Sequence, residues 1–231
     1  MKAPYESLSR RIRAEVEWFG IANTLYDVAF RAVNKLAYFR VLKAFKLESG
    51  DPRVAEHDGP YRYGFLGRRE LLELARDPRH EMSEAFVRSA LAKGDECFAA
   101  MEGDRLVAYG WWSHTETPIK DDLALHFDAR YVYRYKSHTA EEYRGRHIHA
   151  QAIQRALRQA RAQGYRGLLC YVESHNLSSL RSCRRAGYRD FGRVFLLRLF
   201  GRYLIYSSPG CRRHGFRVER SPRPAPLEHT M

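Results

Sequence analysis

The stretch AEEYRGRHIHAQAIQRAL, residues 140–157, joins a tight charged turn to a run with helical periodicity. Arg144, Gly145 and Arg146 make the turn. Ile148, Ala152, Ile153, Ala156, Leu157 and Ala160 then recur on one helical face, while Gln151, Gln154, Arg155, Arg158 and Arg161 point away. The first backbone N–H groups of a helix have no partner inside it and lie at the positive end of its dipole, so they hold anions. Gly145 permits the tight turn and two guanidinium groups add charge, an arrangement suited to a phosphate. His147 and His149 stand at the junction. Histidine adopts helical φ/ψ without strain, and its ring N–H donates to phosphate. A metal is not expected: residues two apart on a helix face nearly opposite ways, and no carboxylate or cysteine stands at ligand spacing.

A second constellation follows in ESHNLSSLRSCRRAGYRDFG, residues 173–192. Asn176 is placed to cap a helix whose inner face carries Leu177, Leu180 and Cys183, and Gly187 ends it eleven residues after the asparagine. With both motifs in order, the chain resembles the GNAT superfamily of acyl-CoA-dependent acyltransferases. That family's helix opens R-x-x-G-x-G, matched here by Arg144 to His149 with histidine at both glycine positions. Its next motif, an asparagine followed eleven residues later by glycine and an aromatic, is matched by Asn176, Gly187 and Tyr188. The resemblance covers roughly residues 61–205.

The resemblance implies an α/β fold: a mixed, mostly antiparallel sheet splayed at its centre, with helices on both faces. It implies acetyl-CoA or another acyl-CoA as co-substrate, no metal, and direct attack by a primary amine on a small molecule or protein. Ser137 and Thr139 would bond the pantetheine arm, and Arg144, Gly145, Arg146, His147, Ile148 and His149 would cradle the pyrophosphate, with Asn176 supporting the donor site. Glu173 and His138, each ending a strand, are the candidate bases. Where the family often has a proton-donating tyrosine, seven residues after the asparagine, this chain has Cys183. A thiol can protonate a thiolate, although helical periodicity makes Cys183 a core residue first.

Composition sets the bounds around these motifs. A chain of 231 residues, 45% hydrophobic and 13% aromatic, is long enough for one packed domain with an appendage. Its four cysteines show no paired spacing and no secretory leader precedes them, so a reducing, cytoplasmic setting is expected. The net charge of +13 is nearly all arginine, 33 against 7 lysines, and spread along the chain. Arg181 to Arg220 holds eleven arginines opposed only by Asp190 and Glu219, the most basic stretch. No nucleic-acid-binding signature accompanies it, so nucleic acid is not an expected partner.

The elements that position the motifs divide the chain into an N-terminal amphipathic helical extension (1–40), an edge strand and loop (41–60), the acyltransferase domain (61–219) and a flexible proline-rich tail (220–231). In the extension Asn23, Asp27, Arg31 and Lys35 draw a narrow polar stripe amid a wide apolar surface, which is expected to dock on the body of the protein. The rival uses of that helix are a homodimer contact or a peripheral membrane contact. Helical patterns at 69–76 and 83–93 precede a hairpin, ECFAAMEGDRLVAYGWWS, and a long strand at 129–138. The crossover from that strand through the helix to LLCYVE, residues 168–173, should be right-handed and parallel. Residues 114–123 are expected to line the acceptor pocket. Two other readings keep the fold: a longer acyl chain on CoA or an acyl-carrier protein at a membrane surface, and a binding module without turnover.

Overall fold

A computed structural model describes residues 16–17, 20–36, 38–50, 59–120 and 122–221. Helix α1 (Ile21–Leu36) leads into β1 (Tyr38–Leu47), followed by β2 (Tyr61–Phe65), α2 (Arg68–Leu74), α3 (Glu84–Lys93) and the hairpin β3 (Glu96–Glu102) and β4 (Arg105–Ser113). Short strands β5 (Thr117–Lys120) and β6 (Leu123–His126) precede β7 (Tyr131–Thr139), α4 (Ile148–Ala162), β8 (Gly167–Glu173) and α5 (Leu177–Arg185). Strands β9 (Arg189–Leu199) and β10 (Arg202–Ser207), helix α6 (Pro209–Arg213) and β11 (Arg217–Arg220) complete the described chain. Among the described residues these strands form an eight-stranded sheet in the order β10-β9-β1-β8-β7-β4-β3-β2 and a small sheet in the order β11-β6-β5.

Both faces of the large sheet are covered, which is why β4 is buried almost throughout its length. Helices α4 and α5 pack over Phe45, Trp112, Val132, Leu168 and Cys170. The small sheet covers Leu42, Ala44, Tyr131, Tyr133 and Leu169 on the other face, while α2 and α3 pack over Cys97, Ala99 and Trp111. Local signals place these helices. Ser83 accepts a hydrogen bond from Phe86 N at 3.1 Å to cap α3, and Gly94 closes that helix at φ +87°. The alanines on the inner side of α4 let it lie close to the strands.

One junction departs from regular pairing, and it lies at the centre of the sheet. Strands β7 and β8 pair in parallel through only three residue pairs, Tyr131↔Gly167, Val132↔Leu168 and Tyr133↔Leu169. Beyond them β7 stays on β4 as far as Ala108↔Thr139, and β8 stays on β1 as far as Leu42↔Glu173. The sheet therefore splays between the two strands. A bulge in the β4–β7 ladder, with Lys136 at φ +41°, turns β7 further away.

Several expectations require correction. The strand expected at an edge, β1, is interior, paired antiparallel with both β8 and β9. Strands β5, β6 and β11 were not expected: β5 lies in the segment read as pocket lining and β6 begins at its end, and all three are too short to carry a clear period. Gln151 and Gln154 are buried rather than pointing away. Tyr63 OH donates to Gln151 Oε1 at 3.1 Å, and Gln154 Nε2 donates to Ala186 O at 2.9 Å, tying α4 to β2 and to the end of α5.

Helix α1 is also turned over relative to the expectation. Thr24, Asp27 and Phe30 face inward, while Ile21, Leu25, Val28 and Val33 are 46–66% exposed. Phe30 stacks on His175 at 4.7 Å and the Tyr26 hydroxyl bonds Ser174 Oγ at 2.7 Å, so the aromatic anchors fix the rotation of the helix. Arg31 and Lys35 of the polar stripe carry no described side chain, and the loop residues 51–58 and the tail 222–231 lie outside the described residues.

Candidate active site

The turn after β7 ends where the splay is widest. A single turn of 3-10 helix, Glu141–Tyr143, leads through Arg144 and Gly145 to His147, which occupies the N-cap position of α4. The first bond into that helix is Gln151 N to His147 O at 3.1 Å, so the N–H groups of Ile148, His149 and Ala150 precede intrahelical pairing. Gly145 sits at φ +82° and His147 at φ +60°, ψ +5°, two left-handed residues in three. Such alternation turns successive N–H groups toward one concavity. Arg144 Nε donates to Thr139 O at 3.2 Å, and Arg146 stacks over the Tyr143 ring at 5.2 Å, so both guanidinium groups are attached to the turn while remaining exposed.

His147 is thus not in helical φ/ψ, as the sequence led us to expect. Its conformation is the one a glycine adopts freely, which is the physical reason a glycine belongs at that motif position. Histidine tolerates it better than most side chains but still at a cost. His147→Gly is expected to raise stability by up to about 1 kcal/mol, read as a higher urea midpoint at constant slope. A lower midpoint would mean the ring itself holds the turn.

His149 has a different environment. It lies one step inside α4, and burial, reinforced by the charge of Arg134, pushes its pKa down to about 3. Between that value and the ordinary 6.5 the unfolded chain takes up a proton that the folded chain refuses. Stability should therefore fall as pH drops through this window.

His138, near the end of β7, stacks on Tyr109 at 5.7 Å, and its Nδ1 lies 3.4 Å from Glu81 Oε2. Burial lowers its pKa below 6.5, Glu81 raises it in opposition, and Arg144 lowers it further, leaving the imidazole neutral at neutral pH. Ser137 is exposed and its Oγ accepts from Arg134 Nη2 at 3.1 Å. Glu173 ends β8 held by Arg40 Nε at 3.2 Å, with His175 Nδ1 3.3 Å away but making no hydrogen bond. Its partners differ from those of His138, and no contact joins the two. Asn176 caps α5, accepting from Ser179 N at 3.1 Å and Ser178 Oγ at 3.0 Å. Cys183 is buried in the core with its sulfur 3.9 Å from that of Cys170.

Sequence reasoning missed Arg134. It stands in VYRYK, within the long strand expected at 129–138, two residues after the core residue Val132 and therefore on the same face. A charged residue at a core register position was the available signal. It is 7% exposed, facing Tyr188, Cys170, Cys183 and His149.

A profile of the acetyltransferase (GNAT) family matches residues 61–188, a span that runs from β2 through the turn and α4 to Tyr188. The chain belongs to the GNAT acetyltransferase family. Among solved structures it is similar to a GNAT-family acetyltransferase of Colwellia psychrerythraea, at TM-score 0.50 and 14% identity, over 72% of this chain and 60% of that one. A GCN5-related N-acetyltransferase of Sphaerobacter thermophilus is similar at TM-score 0.50 and 14% identity, over 78% of this chain and 56% of that one. A putative acetyltransferase of Salmonella typhimurium, solved with its cofactor acetyl-CoA, is similar at TM-score 0.41 and 14% identity, over 73% and 98%. The chain therefore spans less than two thirds of the first two proteins. No curated protein matches the chain by sequence. Among the described residues no helix is long and apolar enough to cross a membrane.

Proposed function

We propose that this GNAT-family chain transfers an acyl group, most simply acetyl, from acyl-CoA to a primary amine by direct attack. The observation that carries the reading is the splay itself: pairing of β7 with β8 stops after three residues, and the open end of the gap meets the Arg144–His147 turn and the start of α4. A long molecule with phosphates at one end suits such a gap. Its phosphates would lie on the N–H groups of residues 145–149 beside Arg144 and Arg146, and its arm would run along Ser137 to Thr139.

His138 is the base we favour, neutral through burial and oriented by Glu81 through Nδ1, which leaves Nε2 for the amine. Glu173 is the weaker candidate, because an incoming amine has to displace Arg40. Asn176 fixes the start of α5. Cys183 is set aside as proton donor, since its thiol lies in the core beside Cys170. Titration calorimetry should give saturable binding of acetyl-CoA, and mass spectrometry of an amine panel should show acetyl addition. No heat at millimolar donor would end this reading.

A second reading, a longer acyl donor used at a lipid surface, draws support from α1. Its Ile21, Leu25, Val28 and Val33 are exposed, and so are Leu199 and Phe200 at the β9–β10 turn, with Arg198 and Arg202 flanking them in sequence. Changing Ile21, Leu25 and Val28 together to serine should abolish co-sedimentation with phosphatidylglycerol vesicles. Equal sedimentation of both proteins, or of neither, would remove the lipid reading.

A further inference from the structure

The apex of the splay holds a positive charge that, among the described residues, no carboxylate balances. Arg134 is the first residue of β7 beyond the last pair, Tyr133↔Leu169, and Cys170 is the first of β8, so the two side chains face each other across the opening. The Arg134 guanidinium lies over Gly110 of β4, where a Cβ would come within 2.3 Å of Nη2; the missing side chain makes its room. Nη2 donates to Ser137 Oγ, while Nε is buried without a hydrogen-bond partner, and among the described residues no carboxylate pairs with this arginine.

The neighbours supply no carboxylate. His149 is held neutral, burial holds Tyr188 protonated, and the Tyr188 hydroxyl, close to the guanidinium, makes no hydrogen bond of good geometry. The contact between Cys170 and Cys183, with burial, holds the Cys170 thiol protonated, while the same contact and the charge of Arg134 pull the Cys183 thiol down, so a buried thiol is the nearest thing to an anion the protein offers. A buried cation without a carboxylate beside it is costly to the resting protein. The same cation, fixed beforehand where charge appears during a reaction, lowers the barrier because nothing has to reorganise.

We propose that Arg134 is a catalytic residue whose guanidinium takes up the negative charge leaving with the sulfur of the thioester donor. The proposal rests on the acyl-CoA reading: with phosphates on the turn at the outer end and the arm along β7, the thioester end arrives at the apex. The amine nitrogen bonds to the carbonyl carbon and the C=O π pair moves to oxygen. The nitrogen loses a proton to the base, the oxygen pair re-forms the carbonyl, and the C–S bond breaks with its pair on sulfur. The thiolate is held against Arg134 and then protonated from water. On α5, the position where the family often has a proton donor is Cys183, which is packed against Cys170, so stabilising the thiolate itself replaces protonating it at once.

The test reads the thiol of bound CoA by its ultraviolet thiolate absorbance against pH, with the desulfo-CoA complex as baseline. In the unaltered protein the bound thiol should titrate about 1–3 units below free CoA. Arg134→Gln should erase that shift while CoA affinity, measured at a pH below both titrations, changes little, and kcat for amine acetylation should fall about 10²- to 10³-fold. Arg134→Lys should keep part of the shift. Gly110→Ala, which displaces the guanidinium without removing it, should lose much of it. Circular dichroism verifies that each variant is folded. A bound thiol titrating alike in the unaltered protein and Arg134→Gln overturns the proposal, and so does unchanged kcat in Arg134→Gln. Failure of the unaltered protein to bind CoA at all would instead remove the donor reading, and this proposal with it.

Discussion

Replacing His138 by alanine is expected to lower kcat for amine acetylation by about 10²- to 10⁴-fold, with acetyl-CoA affinity nearly unchanged. The reason is division of labour along β7. The donor contacts we assign lie at the turn and along the backbone of Ser137 to Thr139, whereas the imidazole of His138 turns to the opposite face, onto Tyr109 and Glu81. Its pKa lies below the ordinary 6.5 because burial outweighs the pull of Glu81. A base works when unprotonated, so kcat/KM should rise with pH to a plateau, with its acid limb centred below 6.5. Glu81→Gln removes an influence that raises the pKa, so it should move that limb to lower pH. His138→Ala should remove the limb altogether. An acid limb that persists unchanged in His138→Ala would assign the base to another group, Glu173 being the first to test.

What the sequence conveyed depended on how local the physics was. The helix α4 and its turn were legible because a period of 3.6, an arginine pair and a glycine all fall within twenty residues. The cap at Asn176 and the stop at Gly187 were legible for the same reason: capping is settled by neighbours in the chain. The turn's conformation was not. Nothing in RGRHIH states that His147 must take φ +60°, because that follows from where β7 ends and where α4 must begin to cover Ile148 and Ile153.

Rotation of α1 and the interior place of β1 were hidden for a related reason. An amphipathic stripe shows which residues share a face, but not which face finds a partner. Here Phe30 and Tyr26 find His175 and Ser174, 145 and 148 positions away in sequence, and these contacts leave the wider apolar surface outward. Arg134 illustrates the same limit at the candidate site. Its type and register were visible, yet its meaning depends on Gly110 leaving space from the next strand and on β8 moving away from the other side. A splay is a relation between strands, and a single strand's pattern does not carry it.

Since three residue pairs alone hold β7 to β8, the steric fit at that hinge should govern both stability and the opening. Gly167 forms the first of those pairs with Tyr131, and the neighbouring bond Arg166 N to Arg130 O, at 2.7 Å, closes the end of the ladder. A Cβ at Gly167 would lie 2.2 Å from Leu47 O and 3.1 Å from Glu48 Cα. Both obstacles are backbone, so no side chain can swing aside to relieve them. Gly167→Ala must instead push the end of β1 off β8, loosening Leu47 and Leu168 in the core beneath α4. The expected loss is about 3 kcal/mol, seen as a lower urea midpoint with little change in slope. Gly64→Ala is the matched control: Gly64 also lies in a strand, but its added Cβ meets nothing within 4 Å, so its stability should change by less than about 0.5 kcal/mol. Because β8 is one wall of the opening, the folded fraction of Gly167→Ala should also bind acetyl-CoA less tightly. Equal stability of the two alanine variants would mean that β1 and β8 separate at little cost, and that the opening is not held by this hinge.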